Sequence, residues 1–375
     1  MKIVFTGGGT GGHFYPIIAV AQAINKTVKE QRLVAPKLYY LSGSPYNRQM
    51  LYENGIEFRR ITAGKIRRYF SLKNFFDQIK TAVGILMSFW QLFFIYPDLI
   101  FSKGGYLSFP VLVAARLLKI PVFIHESDSD PGRVNLWSAK FARRIALSYP
   151  EALQYFPKDK TAVTGNPIRK EIIIPLTVGA REFLNLEPAI PVIFITGGSQ
   201  GAVAINDTVI DILPDLLNRY QIIHQVGNNN LGDTQKRASV LLREHPHANR
   251  YKVFTNLTSD ALQMTAGVAN LVISRAGSTI FEIAQWGIPS IIIPIPEPIS
   301  HDQQKNAYTY ARSGGAVIIE QSNLTPSILK SEIDRLMQNP SLLEKMKAGA
   351  KSFARPDAGE VIAKEIMALA LQHEE

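Results

Sequence analysis

KIVFTGGGTGGHFYP, residues 2–16, decides the fold. Ile3, Val4 and Phe5 form an unbroken apolar run of the kind a buried strand needs. The glycines that follow make a turn, and residues 16–28 then read as a helix. Strand, glycine turn and helix open a parallel, doubly wound sheet. The rhythm continues through KLYYLSG, DLIFSKGG and PVFIHES, each run ending in small or polar residues with helical stretches between. It restarts near residue 191 with PVIFITGGSQG and runs through YQIIHQVG, YKVFTN, NLVISRAGS, PSIIIPIP and AVIIE.

Two windings fit the 375 residues of the chain, since a domain takes about 150. The expected α/β architecture is two doubly wound parallel-sheet domains facing a cleft, 1–167 and 168–356, with TGNPIRKEI (164–172) as the connection. Residues 357–373 read as an amphipathic helix, with two open placements: staying with the second half or packing back on the first. The chain has no cysteine. That excludes disulfides, thiolate-bound metal, iron–sulfur clusters and a thiol nucleophile. MKIVFTGGG lacks the basic and apolar regions of a signal peptide, so none is expected.

The net charge of +10 is unevenly placed. Residues 1–167 hold 22 Lys+Arg against 10 Asp+Glu, a net of +12, and the remainder holds 19 against 21, a net of −2. A basic half suggests an anionic partner: nucleic acid, a phosphorylated ligand or an acidic membrane. The segment 65–97 sharpens this. Lys65, Arg67, Arg68, Lys73 and Lys80 precede TAVGILMSFWQLFFIYP, 17 residues without a charge. A spanning helix wants about 20 apolar residues, so spanning is not expected. Phe75, Phe76, Ile79, Val83, Leu86 and Trp90 recur at helical spacing. Two readings of that stripe stay open, a face lying in lipid headgroups or a face packed into the core, and both hold if one face packs inward and the aromatic end is exposed.

GGGTGGH (7–13) satisfies G-x-G-x-x-G between strand and helix, but no acid ends the second strand to hold a ribose, so a dinucleotide is discounted. Its backbone N–H groups still suit an anion at a helix N-terminus. His13 falls in the first turn, where the helix field favours a neutral, proton-accepting imidazole. ITGGSQGA (195–202) is a second such turn, with Ser199 as a phosphate donor; it lacks the GK[ST] of an ATPase loop. In SRAGSTIFEIAQWGIP (274–289), Arg275 suits a phosphate, Gly277 and Ser278 permit close approach, and Glu282 suits the hydroxyls of a ribose. SHDQQKNA (300–307) offers Asp302, Gln303, Gln304 and Asn306 to sugar hydroxyls. FSKGGYLSFP (101–110) and HESDSDPGRVN (125–135) bring Lys103, Tyr106, His125, Glu126, Asp128 and Asn135 to strand ends. Asp128 and Asp130 are spaced like calcium ligands, but the rest of such a loop is missing, so no metal is expected.

Taken together, GGGTGGH, TGNPIR, GGSQGA, RAG…FEIA…GIP and DQQKNA resemble the MurG family of N-acetylglucosaminyltransferases. The resemblance implies a GT-B fold of two Rossmann-like domains. It also implies inverting, metal-independent transfer of N-acetylglucosamine from its UDP derivative to the C4 hydroxyl of a lipid-linked muramyl-pentapeptide diphosphate, lipid I. Neither a cofactor nor nucleic acid enters this reading, and the expected location is the cytoplasmic face of the membrane. The family motifs place Thr10, Gly11 and Gly12 at the donor, Arg169 and Ser199 at its diphosphate, Glu282 at the ribose and Gln303 or Gln304 at the sugar. Asp128 stands where some members carry Asn, and Arg275 and Glu282 are one residue closer than in many members. On this reading Lys103, Tyr106 and Asn135 face the acceptor. His13 is the expected general base and Glu126 its rival. Two other functions remain open: a UDP-N-acetylglucosamine 2-epimerase, and a non-catalytic nucleotide-sugar sensor.

Overall fold

The structure, a computed structural model, describes residues 1–64, 73–198, 200–297 and 303–372, and the side chains of 73–75 lie outside that description. Lys65, Arg67, Arg68, Ser199 and Asp302 therefore fall outside it, as do the side chains of Lys73 and Phe75. The chain forms two compact units, Met1–Arg169 with Arg355–Glu375, and Lys170–Ala354.

The first unit holds seven parallel strands: β1 (Lys2–Thr6), β2 (Lys37–Ser42), β3 (Ile56–Arg60), β4 (Leu99–Ser102), β5 (Val122–Glu126), β6 (Arg144–Leu147) and β7 (Thr161–Val163), in the order β3-β2-β1-β4-β5-β6-β7. Alternation along β1 assigns its two faces. Ile3 and Phe5 pack with Phe14, Ile17 and Ile18 of the helix Gly11–Glu30, and with Ile362 and Ile366 of the helix Ala358–Leu371. Val4 packs on the opposite face with Leu92, Ile100, Val111 and Ile124. The last helix thus lies on the first, joined also by Lys26 Nζ and Glu360 Oε1 at 2.6 Å.

The sequence reading missed β3, β6 and β7. In β3, IEFRR buries only Ile56 fully, so its apolar signal is that of an edge strand. RIAL and TAV, the strands β6 and β7, are four and three residues long. The first helix also begins at Gly11 rather than at residue 16; glycine is a poor helix former, which hides the start. The helix Lys73–Ile95 packs on Ser108–Leu117. Gly84 lets it close onto the chain before it, since a Cβ there would stand 1.8 Å from the Thr62 carbonyl oxygen. Ser88, Leu92 and Ile95 are buried, whereas the stripe Phe76, Ile79, Val83, Leu86 and Trp90 is exposed. The helix thus packs one face inward and leaves this stripe and its aromatic end exposed. By length and composition alone, Phe76–Ile95 is sufficient to cross a membrane, and most of it lies outside the core.

The second unit winds six parallel strands: β8 (Val192–Thr196), β9 (Gln221–Gln225), β10 (Tyr251–Phe254), β11 (Ala269–Ser274), β12 (Ser290–Ile292) and β13 (Ala316–Ile318), in the order β10-β9-β8-β11-β12-β13. Ile193, Ile195, Leu271, Ile273 and Ile291 supply the sheet side of a core covered by the helices Val203–Leu217 and Pro326–Met337. In each unit the strand order reverses beside the first strand, between β1 and β4 and between β8 and β11. Ligands of doubly wound sheets bind beyond the strand ends at such a reversal. Both glycine turns begin there.

Candidate functional site

At the first reversal, β1 runs into Gly7 and β4 into Lys103, whose N–H donates to the Thr6 carbonyl at 2.9 Å. Thr10 is the N-cap of the first helix but does not cap it with its side chain. Its Oγ1 instead pairs with His13 Nδ1 at 2.9 Å. The His13 and Phe14 N–H groups both donate to the Thr10 carbonyl. The N–H groups of Gly11 and Gly12, the first two of the helix, therefore point along its axis.

His13 is half-buried. A Cβ on Gly8 would stand 2.9 Å from its Nδ1, and one on Gly105 would stand 3.5 Å from its Nε2. Glycine at position 8 leaves room for the ring, whereas a Cβ at 105 would only reach ordinary contact with it. Gly105 also has φ +82°, a conformation that side chains other than glycine rarely adopt. Burial, then the charge of Lys103, pushes the imidazole down to about 4. It is neutral at physiological pH, and in the tautomer that donates from Nδ1 to Thr10 its Nε2 keeps a lone pair.

Behind the glycine turn is a buried polar cluster. Lys103 is 2% exposed. Its Nζ lies 2.5 Å from His125 Nδ1, 2.6 Å from Ser127 Oγ and 3.2 Å from Asn166 Oδ1. The sequence reading turned Lys103 and Asn135 toward an acceptor; both side chains turn inward instead. Asn135 Nδ2 donates to Glu126 Oε2 at 2.9 Å and to the His125 carbonyl at 3.2 Å. Of that trio only Tyr106 is exposed. Glu126 accepts from the Asp128 N–H through Oε1 and from the Gly132 N–H through Oε2. Both its oxygens thus hold the 127–132 loop. Burial, then the nearby Asp128, raises its carboxyl to about 7. Gly104, with φ +77°, closes the cluster, because a Cβ would stand 2.6 Å from Asn135 Oδ1.

Arg169 is buried, with its guanidinium carbon 3.8 Å from the centre of the Tyr15 ring. Tyr15 itself meets Tyr46 edge-on. The first helix thus carries both His13 and the platform under Arg169.

At the second reversal, Gly198 N–H donates to Thr196 Oγ1 at 3.1 Å, and a Cβ on Gly198 would meet nothing within 4 Å. Ser199 follows, outside the described residues. Gly277 faces open space likewise, and Ser278 stands at the N-cap position of the helix Thr279–Trp286 without a side-chain capping bond; the first turn of that helix holds the half-buried Glu282. Arg275 is not free to swing onto a phosphate. Its guanidinium donates to the carbonyls of Ile293 and Pro294 at 2.9 and 3.2 Å and to Gln321 Oε1 at 2.6 Å. Burial lowers it to about 10, so it is cationic at neutral pH. Gln303 Oε1 accepts from the Ile295 N–H at 3.2 Å, and Gln304 is partly buried beside it. Asn306 Nδ2 donates to the Ala276 carbonyl at 3.3 Å and ties this helix to the RAG turn.

Sequence reasoning passed over Asn166 and Gly104. Asn166 lies in the 164–172 connection, which does hold the boundary between the units, and nothing in TGNPIR marks it as a partner of Lys103. Gly104 was visible only as half of a Gly-Gly pair.

Two wound units with a glycine turn at each reversal make a GT-B architecture, and the class of enzyme follows from the family the chain matches. The glycosyltransferase family 28 N-terminal domain matches residues 3–147, and the glycosyltransferase family 28 C-terminal domain matches 192–362. The chain belongs to glycosyltransferase family 28 and, within it, to the MurG family. It is 36% identical over 344 residues to the UDP-N-acetylglucosamine–N-acetylmuramyl-(pentapeptide) pyrophosphoryl-undecaprenol N-acetylglucosamine transferase of Treponema denticola, covering 87% of this chain and 85% of that one. The second such transferase of Bacillus cereus is 34% identical, with 97% and 99% covered. The crystal structure of Acinetobacter baumannii MurG superposes with a TM-score of 0.70 at 27% identity, covering 98% of this chain and 99% of that one. A putative UDP-N-acetylglucosamine 2-epimerase from Listeria monocytogenes reaches 0.72 at 14% identity, with 100% and 96% covered, which shows a shared GT-B fold alone.

Proposed function

We propose that the chain transfers N-acetylglucosamine from UDP-N-acetylglucosamine to the C4 hydroxyl of the muramyl sugar in lipid I, forming lipid II with inversion at the anomeric carbon. The observation that carries the reading is His13: a neutral imidazole at a helix start, with Nε2 beside a glycine that keeps it approachable. As the hydroxyl oxygen attacks the anomeric carbon, its proton passes to Nε2 and the bond to UDP breaks. Thr10 holds Nδ1 and fixes the ring. Glu126 is the weaker candidate, because both its oxygens hold the following loop.

Charge grows on the departing diphosphate. The N–H groups at Gly11 and Gly12, the cation of Arg169 and the Ser199 hydroxyl are assigned to it. Glu282 takes the ribose hydroxyls. Gln304 takes the sugar in preference to Gln303, whose carbonyl is engaged by Ile295. Gly277 and Ser278 let the nucleotide approach, with Arg275 bracing the chain after β12 beneath it. Asp128 lies with the donor and Tyr106 with the acceptor.

The exposed stripe of the helix Lys73–Ile95, with Phe93 and Phe94 at 51% and 78% exposure, meets an anionic membrane surface on the cytoplasmic side. The acceptor's lipid then stays in the bilayer. The test is to supply the purified chain with UDP-N-acetylglucosamine alone and together with a short-chain lipid I analogue. The reading predicts UDP and disaccharide product only in the presence of the analogue. Epimerisation of the donor alone would refute it in favour of the 2-epimerase, and binding without turnover would refute it in favour of a sensor.

A further inference from the structure

Lys103 has no place in the transfer step as just described, yet it is a cation buried at the first unit's strand ends. Its backbone continues β4, and its side chain runs inward to groups at the ends of β5 and β7. A Cβ placed on Gly7 would stand 3.3 Å from His13 Cβ and 3.4 Å from Lys103 Cβ. The two side chains therefore leave the backbone on either side of one glycine.

The hydrogen bonds fix what the ammonium does. His125 Nε2 lies 3.0 Å from the Gly165 carbonyl. A carbonyl only accepts, so Nε2 carries the ring proton and Nδ1 is the acceptor. Lys103 Nζ then faces three uncharged acceptors, His125 Nδ1, Ser127 Oγ and Asn166 Oδ1, one for each ammonium proton. Only the charged form can donate to all three at once.

We propose that Lys103 is a positioning residue for the transfer: its buried ammonium ties the ends of β4, β5 and β7 into one floor under the glycine turn and, beside His13, sets how far into acid the imidazole still accepts the acceptor's proton. The groups facing this pair are His125, Glu126 and Asp128. Glu126 and Asp128 favour the ammonium and burial opposes it, which leaves Lys103 lowered to about 7. Burial and the same ammonium push His125 well down, so it adds no competing charge. A cation close to an imidazole disfavours a second cation there.

The kinetic arm of the test rests on His13 acting as base, but the titration arm does not. His13 is titrated by carbon-13 NMR of labelled histidine rings in the full chain, in wild type, Lys103→Met and Lys103→Arg, alongside kcat/KM for transfer as a function of pH. In Lys103→Met the His13 midpoint is expected to rise by about one pH unit, and the acid limb of kcat/KM to rise with it. Lys103→Arg, which restores the charge, is expected to return both toward wild type. An unchanged His13 midpoint in folded Lys103→Met overturns the proposal; a merely structural role would lower thermal stability and leave that midpoint in place. A raised midpoint with an unmoved acid limb would instead overturn the assignment of His13 as base and keep the coupling. Should Lys103→Met not fold, the nitrogen-15 spectrum of the wild-type lysines at pH 6 decides. A slowly exchanging ammonium signal assigned to Lys103 supports the proposal, and a freely exchanging one overturns it.

Discussion

The two strand-order reversals carry the same backbone device and opposite chemistry. Beyond β1 and β4 the polar side chains are buried against one another, and three of them have strongly altered proton affinities: His13 down to about 4, Lys103 down to about 7 and Glu126 up to about 7. Beyond β8 and β11, Arg275 is locked to two carbonyls and an amide, and Gly198 and Gly277 face open space. On the proposed reading the first end carries the proton-moving groups as well as diphosphate contacts, and the second admits the nucleotide. A doubly wound sheet supplies the location in both cases; the side chains packed behind the turn decide which chemistry it hosts.

The largest expected effect separates the two ends. His13→Ala should lower kcat for transfer by about 10²- to 10⁴-fold, the usual contribution of a general base. Turnover within twofold of wild type would remove the proton-moving role from the first end.

A matched pair of glycine substitutions sharpens the contrast. A Cβ on Gly105 would lie 3.1 Å from the Gly8 Cα, in a backbone with φ +82°. Gly105→Ala should cost about 1–3 kcal/mol in denaturant unfolding and lower kcat about tenfold by pushing on the Gly8 backbone in the turn beside His13. Gly277→Ala meets no neighbour, so its stability should stay within about 0.5 kcal/mol of wild type. Any loss of activity there then reports a blocked ligand.

A pH prediction concerns the second unit away from its ligand end. His224 is fully buried, lies 3.0 Å from the Tyr251 hydroxyl and 3.1 Å from Asn206 Oδ1, and is pushed down to about 3 by burial. Unfolded, the same ring protonates near 6.5. Between 6.5 and 3 the unfolded chain therefore binds the extra proton, and stability falls as pH falls through that window. His224→Gln should reduce the loss between pH 7 and pH 4.5 by about 2 kcal/mol, read from urea unfolding at the two pH values. An unchanged loss would place the acid sensitivity elsewhere.

The smallest effect expected on catalysis is at the exposed helix. Replacing Trp90, Phe93 and Phe94 with Ser should weaken binding to anionic vesicles severalfold while leaving kcat on a soluble acceptor analogue unchanged. Vesicle binding equal to wild type would take the membrane role from this stripe.

Much of this was legible in the sequence, and the omissions have physical causes. The central strands declare themselves as continuous apolar runs, because a parallel sheet covered on both faces buries every side chain. The edge strand IEFRR keeps only one fully buried residue, and its pattern fades accordingly. Motif spacing brought His13, Arg275 and Glu282 to strand ends, since the turn after a parallel strand always opens at that end. Spacing does not give direction. A lysine in SKGG reads as a hand held out to an anion, whereas Lys103 is an inward brace, because Asn166, 63 residues later, offers it an acceptor. The stripe on the helix Lys73–Ile95 was ambiguous for a related reason: apolar residues recur on both of its faces, and periodicity alone does not say which one the core takes.

Calorimetric binding of UDP-N-acetylglucosamine to His13→Ala and to Glu282→Ala tests the division of labour most directly. The account predicts that His13→Ala binds the donor with an affinity close to wild type, while Glu282→Ala loses about tenfold or more. Donor binding abolished by His13→Ala and intact in Glu282→Ala would contradict it.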